Sequence, residues 1–215
     1  MERHAAIVLG DSNLHFSDTY LDFLPRRFRV AESLCGCSLR RASTAELVRK
    51  GLQQHGVEAY GVGWGCVCSK HYDKMNLESV LKAAKRDGVR LSMVIAVGQN
   101  DCFRTEPSQN IFEKRIKNGL SELAALVNLY VEKVFVCDPF DQKAGDDGAG
   151  FFGDEYESRV EILRRSWRCR IDREQTWSRF GFVPADDEWK SDHLHLALKG
   201  RARFAECIVA ALLQQ

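Results

Sequence analysis

Short unbroken apolar runs alternate along this chain with stretches in which apolar residues recur every three or four positions. Ile7-Val8-Leu9 reads as a buried strand that ends at Gly10. Leu47, Val48 and Leu52 share one face of a helix, with Thr44 and Leu47 as a partial start signal and Gly56 as the stop. Val57 to Val62 reads as a second strand. Leu77, Val80, Leu81 and Ala84 then recur at helical spacing, with Asn76 as N-cap and Gly88 as terminator. Leu91 to Val97 is continuously apolar, as befits a central strand covered on both faces.

The alternation continues. Phe112, Ile116, Leu120, Leu123 and Val127 form a helical stripe, and Val134-Phe135-Val136 follows as a strand. The stretch 142–154, rich in glycine and aspartate, reads as a mobile loop that serves as a lid or rim. Residues 155–168 predict a polar helix anchored by Val160, Leu163 and Trp167. A last helix carries Phe204, Ile208, Ala211 and Leu212 on one face. Strand and helix in regular alternation predict one α/β domain over 1–215, with a parallel sheet between helical layers.

Composition narrows the function classes only a little. At 215 residues with mixed charges and a formal net charge of +1, the chain is of globular type, and no basic field indicates nucleic acid. The apolar run after Met1-Glu2-Arg3-His4 is too short for a secretory core and leads into Gly-Asp-Ser rather than a cleavage site. No stretch nears the ~18 consecutive apolar residues of a membrane span. A cytoplasmic protein without a membrane span is expected, its eight cysteines mostly free thiols. Cys35-Gly-Cys37 and Cys66-Val-Cys68 lack the usual zinc spacing, and residues two apart on a strand share a face. The aspartates at 138, 141, 146 and 147 do not fit a calcium loop, so no metal is expected.

Three short motifs carry chemistry. Gly10-Asp11-Ser12-Asn13 follows the first strand, where a serine on a tight turn can expose its hydroxyl and offer its own N–H to an oxyanion. Gly98-Gln99-Asn100-Asp101 follows a strong strand, where an asparagine amide can face a reacting carbonyl oxygen. Ser191-Asp192-His193-Leu194-His195 precedes the last helix, and a carboxylate three residues before an imidazole can hold it in the tautomer that accepts a serine proton. Taken singly, each also fits a plain structural role: a turn, an Asx-turn, a surface N-cap.

In order and position, Gly-Asp-Ser, Gly-x-Asn-Asp and Asp-x-x-His together resemble the SGNH, or GDSL-type, hydrolases over nearly the whole chain. The resemblance implies a three-layer, flavodoxin-like α/β fold with a parallel sheet of about five strands. It implies Ser12 as nucleophile, His195 as general base and Asp192 as the group that orients it; His193 competes only if the Asp-x-x-His register is shifted. It also implies an oxyanion hole made by the Ser12 N–H, the Asn100 amide and a glycine N–H. That glycine is Gly65, at the end of the second strand, or alternatively Gly36 in Val30 to Cys37. The implied activity is cleavage of an acyl or acetyl ester, or a thioester, through an acyl-serine and without a cofactor. The implied partner is a small-molecule, lipid or carbohydrate ester, and the sequence carries no sign of oligomeric state. Phe151, Phe152 and Trp189 are candidates for the rim of the pocket. The rival reading is a binding module on the same scaffold, which has no physical reason to keep serine, asparagine, aspartate and histidine in register. A third is an esterase-like domain of a mobile element, to which the balanced charge lends nothing.

Overall fold

The computed structural model describes residues 3–11, 13–14, 43–63, 77–102, 108–139, 154–188 and 195–214. Strand β1 (Arg3–Gly10) is buried from Ala5 onward, and its alternate side chains feed two separate cores. Ala5, Ile7 and Leu9 point to one face, Ala6 and Val8 to the other, so an unbroken apolar run is what the position demands. Helix α1 (Thr44–Gln53) begins at its sequence signal, with Ser43 just before it as the N-cap, whose Oγ accepts the Glu46 N–H at 3.1 Å. Gly56 follows at a φ of 71°, a left-handed conformation suited to glycine.

Strand β2 (Glu58–Gly63), helix α2 (Leu77–Arg86) and strand β3 (Val89–Ala96) come next, and the φ of 68° at Gly88 turns the chain between the last two. The expected cap at Asn76 lies outside the described residues. A single turn, α3 (Gln99–Cys102), precedes the long α4 (Gln109–Val127), whose N-cap Ser108 accepts the Ile111 N–H. Strand β4 (Lys133–Cys137), helix α5 (Asp154–Ile171), strand β5 (Trp177–Phe180) and helix α6 (Leu198–Leu213) complete the order.

The five strands are all parallel, in the order β2-β1-β3-β4-β5. Helices α2, α4 and α5 cover one face with Leu81, Phe112, Leu123, Leu163 and Trp167. Helices α1 and α6 cover the other with Val48, Leu52, Phe204, Ile208 and Leu212. The three-layer, flavodoxin-like architecture expected from the sequence is therefore present. Among the described residues no helix is long and apolar enough to cross a membrane.

Strand order decides where a site forms. The chain leaves β1 for β2 on one side and returns to β3 on the other, so the connections diverge above the carboxyl ends of β1 and β3. In a flavodoxin-like sheet that divergence opens a crevice. Gly10 and Ala96, the last residues of those strands, are paired in register, and Gly63 of β2 is level with Gly10 on its other side.

Candidate active site

The first motif leaves β1 in a compact turn. Gly10 is required there by space, since a β-carbon would run into the Leu14 side chain. The Asp11 carbonyl accepts the Leu14 N–H at 3.0 Å, and Asp11 Oδ1 accepts the Asn13 N–H at 3.0 Å, the bond of an Asx-turn. Thr44 Oγ1 donates to the Asn13 carbonyl at 2.7 Å and ties the turn to α1. Ser12 itself lies outside the described residues.

Asp11 is buried. Burial pushes its carboxyl up to about 7, nearby Asp101 adds to the rise, and the Asn13 N–H opposes it. A carboxyl that is half-protonated near neutrality thus sits one residue before the candidate nucleophile.

The second motif turns away from β3 at Gly98, whose φ of 108° excludes ordinary side chains; a β-carbon there would also meet Leu163 Cδ1 at 2.8 Å. The Gly98 carbonyl accepts the Asp101 N–H at 3.0 Å. Asn100 is half-buried on this turn, at the sheet edge that also carries the Gly10 turn. Asp101 is fully buried and ion-paired with Arg115 of α4, which also donates to the Asp101 carbonyl at 3.5 Å. Arg159 of α5, itself buried, donates to the Cys102 carbonyl at 3.4 Å and to Glu155 at 2.8 Å. Both guanidinium groups lie over the Phe112 ring, at 5.4 and 5.6 Å from its centre. Two arginines therefore brace the turn from behind.

The third motif is described from His195 onward. His195 is half-buried, and Leu196 beside it is fully buried. The Leu196 N–H donates to Asn13 Oδ1 at 3.1 Å, which joins the end of the chain to its beginning. On the other side the Ala197 N–H donates to the Glu188 carbonyl at 2.7 Å. Glu188 is buried, accepts from Arg203 and from the Ala185 N–H, and its carboxyl is held below the usual range chiefly by the Arg203 guanidinium. Asp192 and the rival His193 lie outside the described residues, as do both glycine candidates, Gly65 and Gly36.

A hollow opens between the first two motifs, the end of β4 and α6, lined by Asp11, Asn13, Gln99, Asp138, Pro139 and Phe204 among others. Cys137 is buried at its edge, and burial raises its thiol well above the ordinary value, so it is not a nucleophile at neutral pH. The four described cysteines, Cys102, Cys137, Cys169 and Cys207, are free thiols. The two Cys-x-Cys pairs, the rim candidates Phe151, Phe152 and Trp189 and all of the expected 142–154 loop except Asp154, which opens α5, fall outside the described residues.

Of the sequence candidates, the structure thus brings the His195 stretch against the residue after Ser12 and puts Asn100 at the neighbouring strand end. Sequence reasoning missed Asn13, Arg115 and Glu188. Asn13 stood inside a quoted motif, but a partner 183 positions away leaves no local signal.

No family model matches the sequence, and no curated protein matches it. Solved structures do. A carbohydrate acetylesterase from Sinorhizobium meliloti is similar over 98% of both chains, at 19% identity and a TM-score of 0.61. The aryl esterase of M. smegmatis is similar over 97% of this chain and 98% of its own, at 15% identity and a TM-score of 0.64. A member of the lipolytic G-D-S-L family from Veillonella parvula is similar over 99% of this chain and all of its own, at 11% identity and a TM-score of 0.60. The fold is that of the GDSL, or SGNH, esterases.

Proposed function

We propose that this protein is a serine hydrolase that cleaves a carboxylic ester through an acyl-serine intermediate. The observation that carries the reading is the 3.1 Å hydrogen bond from the Leu196 N–H to Asn13 Oδ1. It fastens the neighbour of His195 to the neighbour of Ser12, at the carboxyl ends of strands where α/β enzymes build their sites. The similarity of fold to a carbohydrate acetylesterase and an aryl esterase supports ester chemistry.

In this reading His195 takes the Ser12 proton as Ser12 Oγ attacks the ester carbonyl, and Asp192 holds the imidazole. The tetrahedral oxyanion is met by the Ser12 N–H, a glycine N–H and the Asn100 amide; one such donor contributes roughly 3–4 kcal/mol to the transition state. Collapse breaks the bond to the alcohol oxygen, which leaves with the proton from His195. Water then adds to the acyl-serine with His195 again as base, releasing the acid and restoring Ser12. No step needs a metal or organic cofactor. Gly65 is the preferred glycine donor, because β2 is hydrogen-bonded to β1 and Gly63 is level with Gly10, two residues before it. The substrate class is an acyl or acetyl ester of a small molecule, sugar or lipid.

The test is hydrolysis of a short-chain aryl ester by the parent and by Ser12→Ala. The variant keeps the far-ultraviolet circular dichroism of the parent and loses turnover. Turnover at the parental rate in that variant refutes the assignment.

A further inference from the structure

His195 is half-buried and stands just before helix α6. Helix α6 begins behind it, and its N-cap, Ala197, makes no side-chain hydrogen bond to the helix. The Ala197 carbonyl accepts the Arg201 N–H at 2.9 Å and so begins the helix. Two bonds from elsewhere in the chain reach the described residues just before the helix: the Ala197 N–H on the Glu188 carbonyl, and the Leu196 N–H on Asn13 Oδ1.

Asn13 is well placed to serve as the second anchor. It is buried, with 4% of its surface exposed. Its backbone is fixed at both ends, its N–H on Asp11 Oδ1 and its carbonyl under Thr44 Oγ1. Away from water the bond to Leu196 is strong and costly to lose. One amide oxygen thus connects the serine turn to the histidine segment across 183 positions of sequence.

We propose that Asn13 is a positioning residue: its amide oxygen, through the Leu196 backbone, sets where His195 stands relative to Ser12. This rests on the serine-esterase reading and deepens it. Removing the oxygen leaves both reacting groups in place but loosens their alignment. Misplacement by about 1 Å costs roughly 10²-fold in rate. Because the ground-state complex does not depend on proton transfer, the loss falls on kcat rather than KM.

The experiment compares the parent with Asn13→Leu, which keeps volume but has no acceptor, with Asn13→Ala, and with Asn13→Asp, which keeps Oδ1. Kinetics on a short-chain aryl ester are normalised to folded protein, and amide hydrogen exchange is followed at Leu196. The leucine and alanine variants lose kcat by about 10²-fold with KM within twofold of the parent, and the Leu196 amide exchanges faster. The aspartate variant recovers most of kcat. The proposal is overturned if an acceptor-less variant keeps kcat within twofold, if KM rises while kcat holds, or if aspartate is no better than leucine. Should the acceptor-less variants not fold, exchange in the parent still decides: an unprotected Leu196 amide overturns the proposal. Failure of the esterase reading is seen separately, as turnover retained in Ser12→Ala.

Discussion

Asp11 is a carboxyl kept from water one residue before the proposed nucleophile, and its titration marks it. Its ordinary value is 3.8 and burial raises it to about 7. Between about pH 4 and 7 the folded chain keeps a proton that the unfolded chain has lost, so this group makes stability fall as pH rises, by at most about 1.4 kcal/mol per pH unit. Below that window both states are protonated and above it both are ionised, and the contribution is flat. Asn at position 11 keeps the Oδ1 that accepts the Asn13 N–H and removes the titration. The stability gain of Asp11→Asn over the parent is expected to grow from pH 4 to 7, as measured by urea unfolding at several pH values. A gain independent of pH contradicts the assignment. Glu188 works in the opposite sense. Its carboxyl is depressed by Arg203, so its contribution is present above the ordinary carboxylate range and is lost as pH falls through the lowered value. Glu188→Gln is expected to narrow the stability difference between neutral pH and pH 3, and an unchanged difference argues against the ion pair. None of this was legible in the sequence: Asp11, Ser12 and Asn13 were visible as a motif, but burial and partners were not.

At the scale of elements, the helices were easy to read because their apolar stripes meet a flat sheet. Leu77, Val80, Leu81 and Ala84 are all buried, as are Phe112, Ile116, Leu120, Leu123 and Val127. Strands β1, β3 and β4 announced themselves as apolar runs for the same reason. Strand β5 did not. Trp177-Ser-Arg-Phe is a short edge strand in which Trp177 is the one buried residue, so its pattern resembles a loop. Helix α1 does start at Thr44, the partial start signal in the sequence, with Ser43 just before it as the N-cap. The turn after β3 owes its shape to α4 as much as to its own Gly98, through the Asp101–Arg115 ion pair. Arg115→Met removes the ion-pair partner of a fully buried carboxylate and is expected to destabilise the protein by about 3–5 kcal/mol. The melting temperature then falls by roughly 6–20 °C. The proposed ester hydrolysis by the surviving folded fraction is expected to fall as well, because Asn100, its proposed amide donor, stands on that turn. A melting temperature within about 2 °C of the parent contradicts this view of the turn.

Across the whole molecule, sheet order explains why motifs at positions 10–13, 98–101 and 191–195 matter to one another. With β1 between β2 and β3, the first two motifs leave neighbouring strands at the same edge. His195, the last residue of the third, returns to that edge as α6 packs against α1 across the face that holds Val8, Phe204 and Ile208. The family resemblance named the order of these motifs; the long-range closure through Asn13 required coordinates. Reaction with a fluorophosphonate probe, followed by peptide mass spectrometry, tests the resulting claim most directly, because phosphonylation needs a serine activated by its base. One adduct is expected, on the peptide carrying Ser12, and His195→Ala is expected to slow its formation by at least 10²-fold. An adduct on another serine, or labelling of Ser12 at an unchanged rate without His195, contradicts the account.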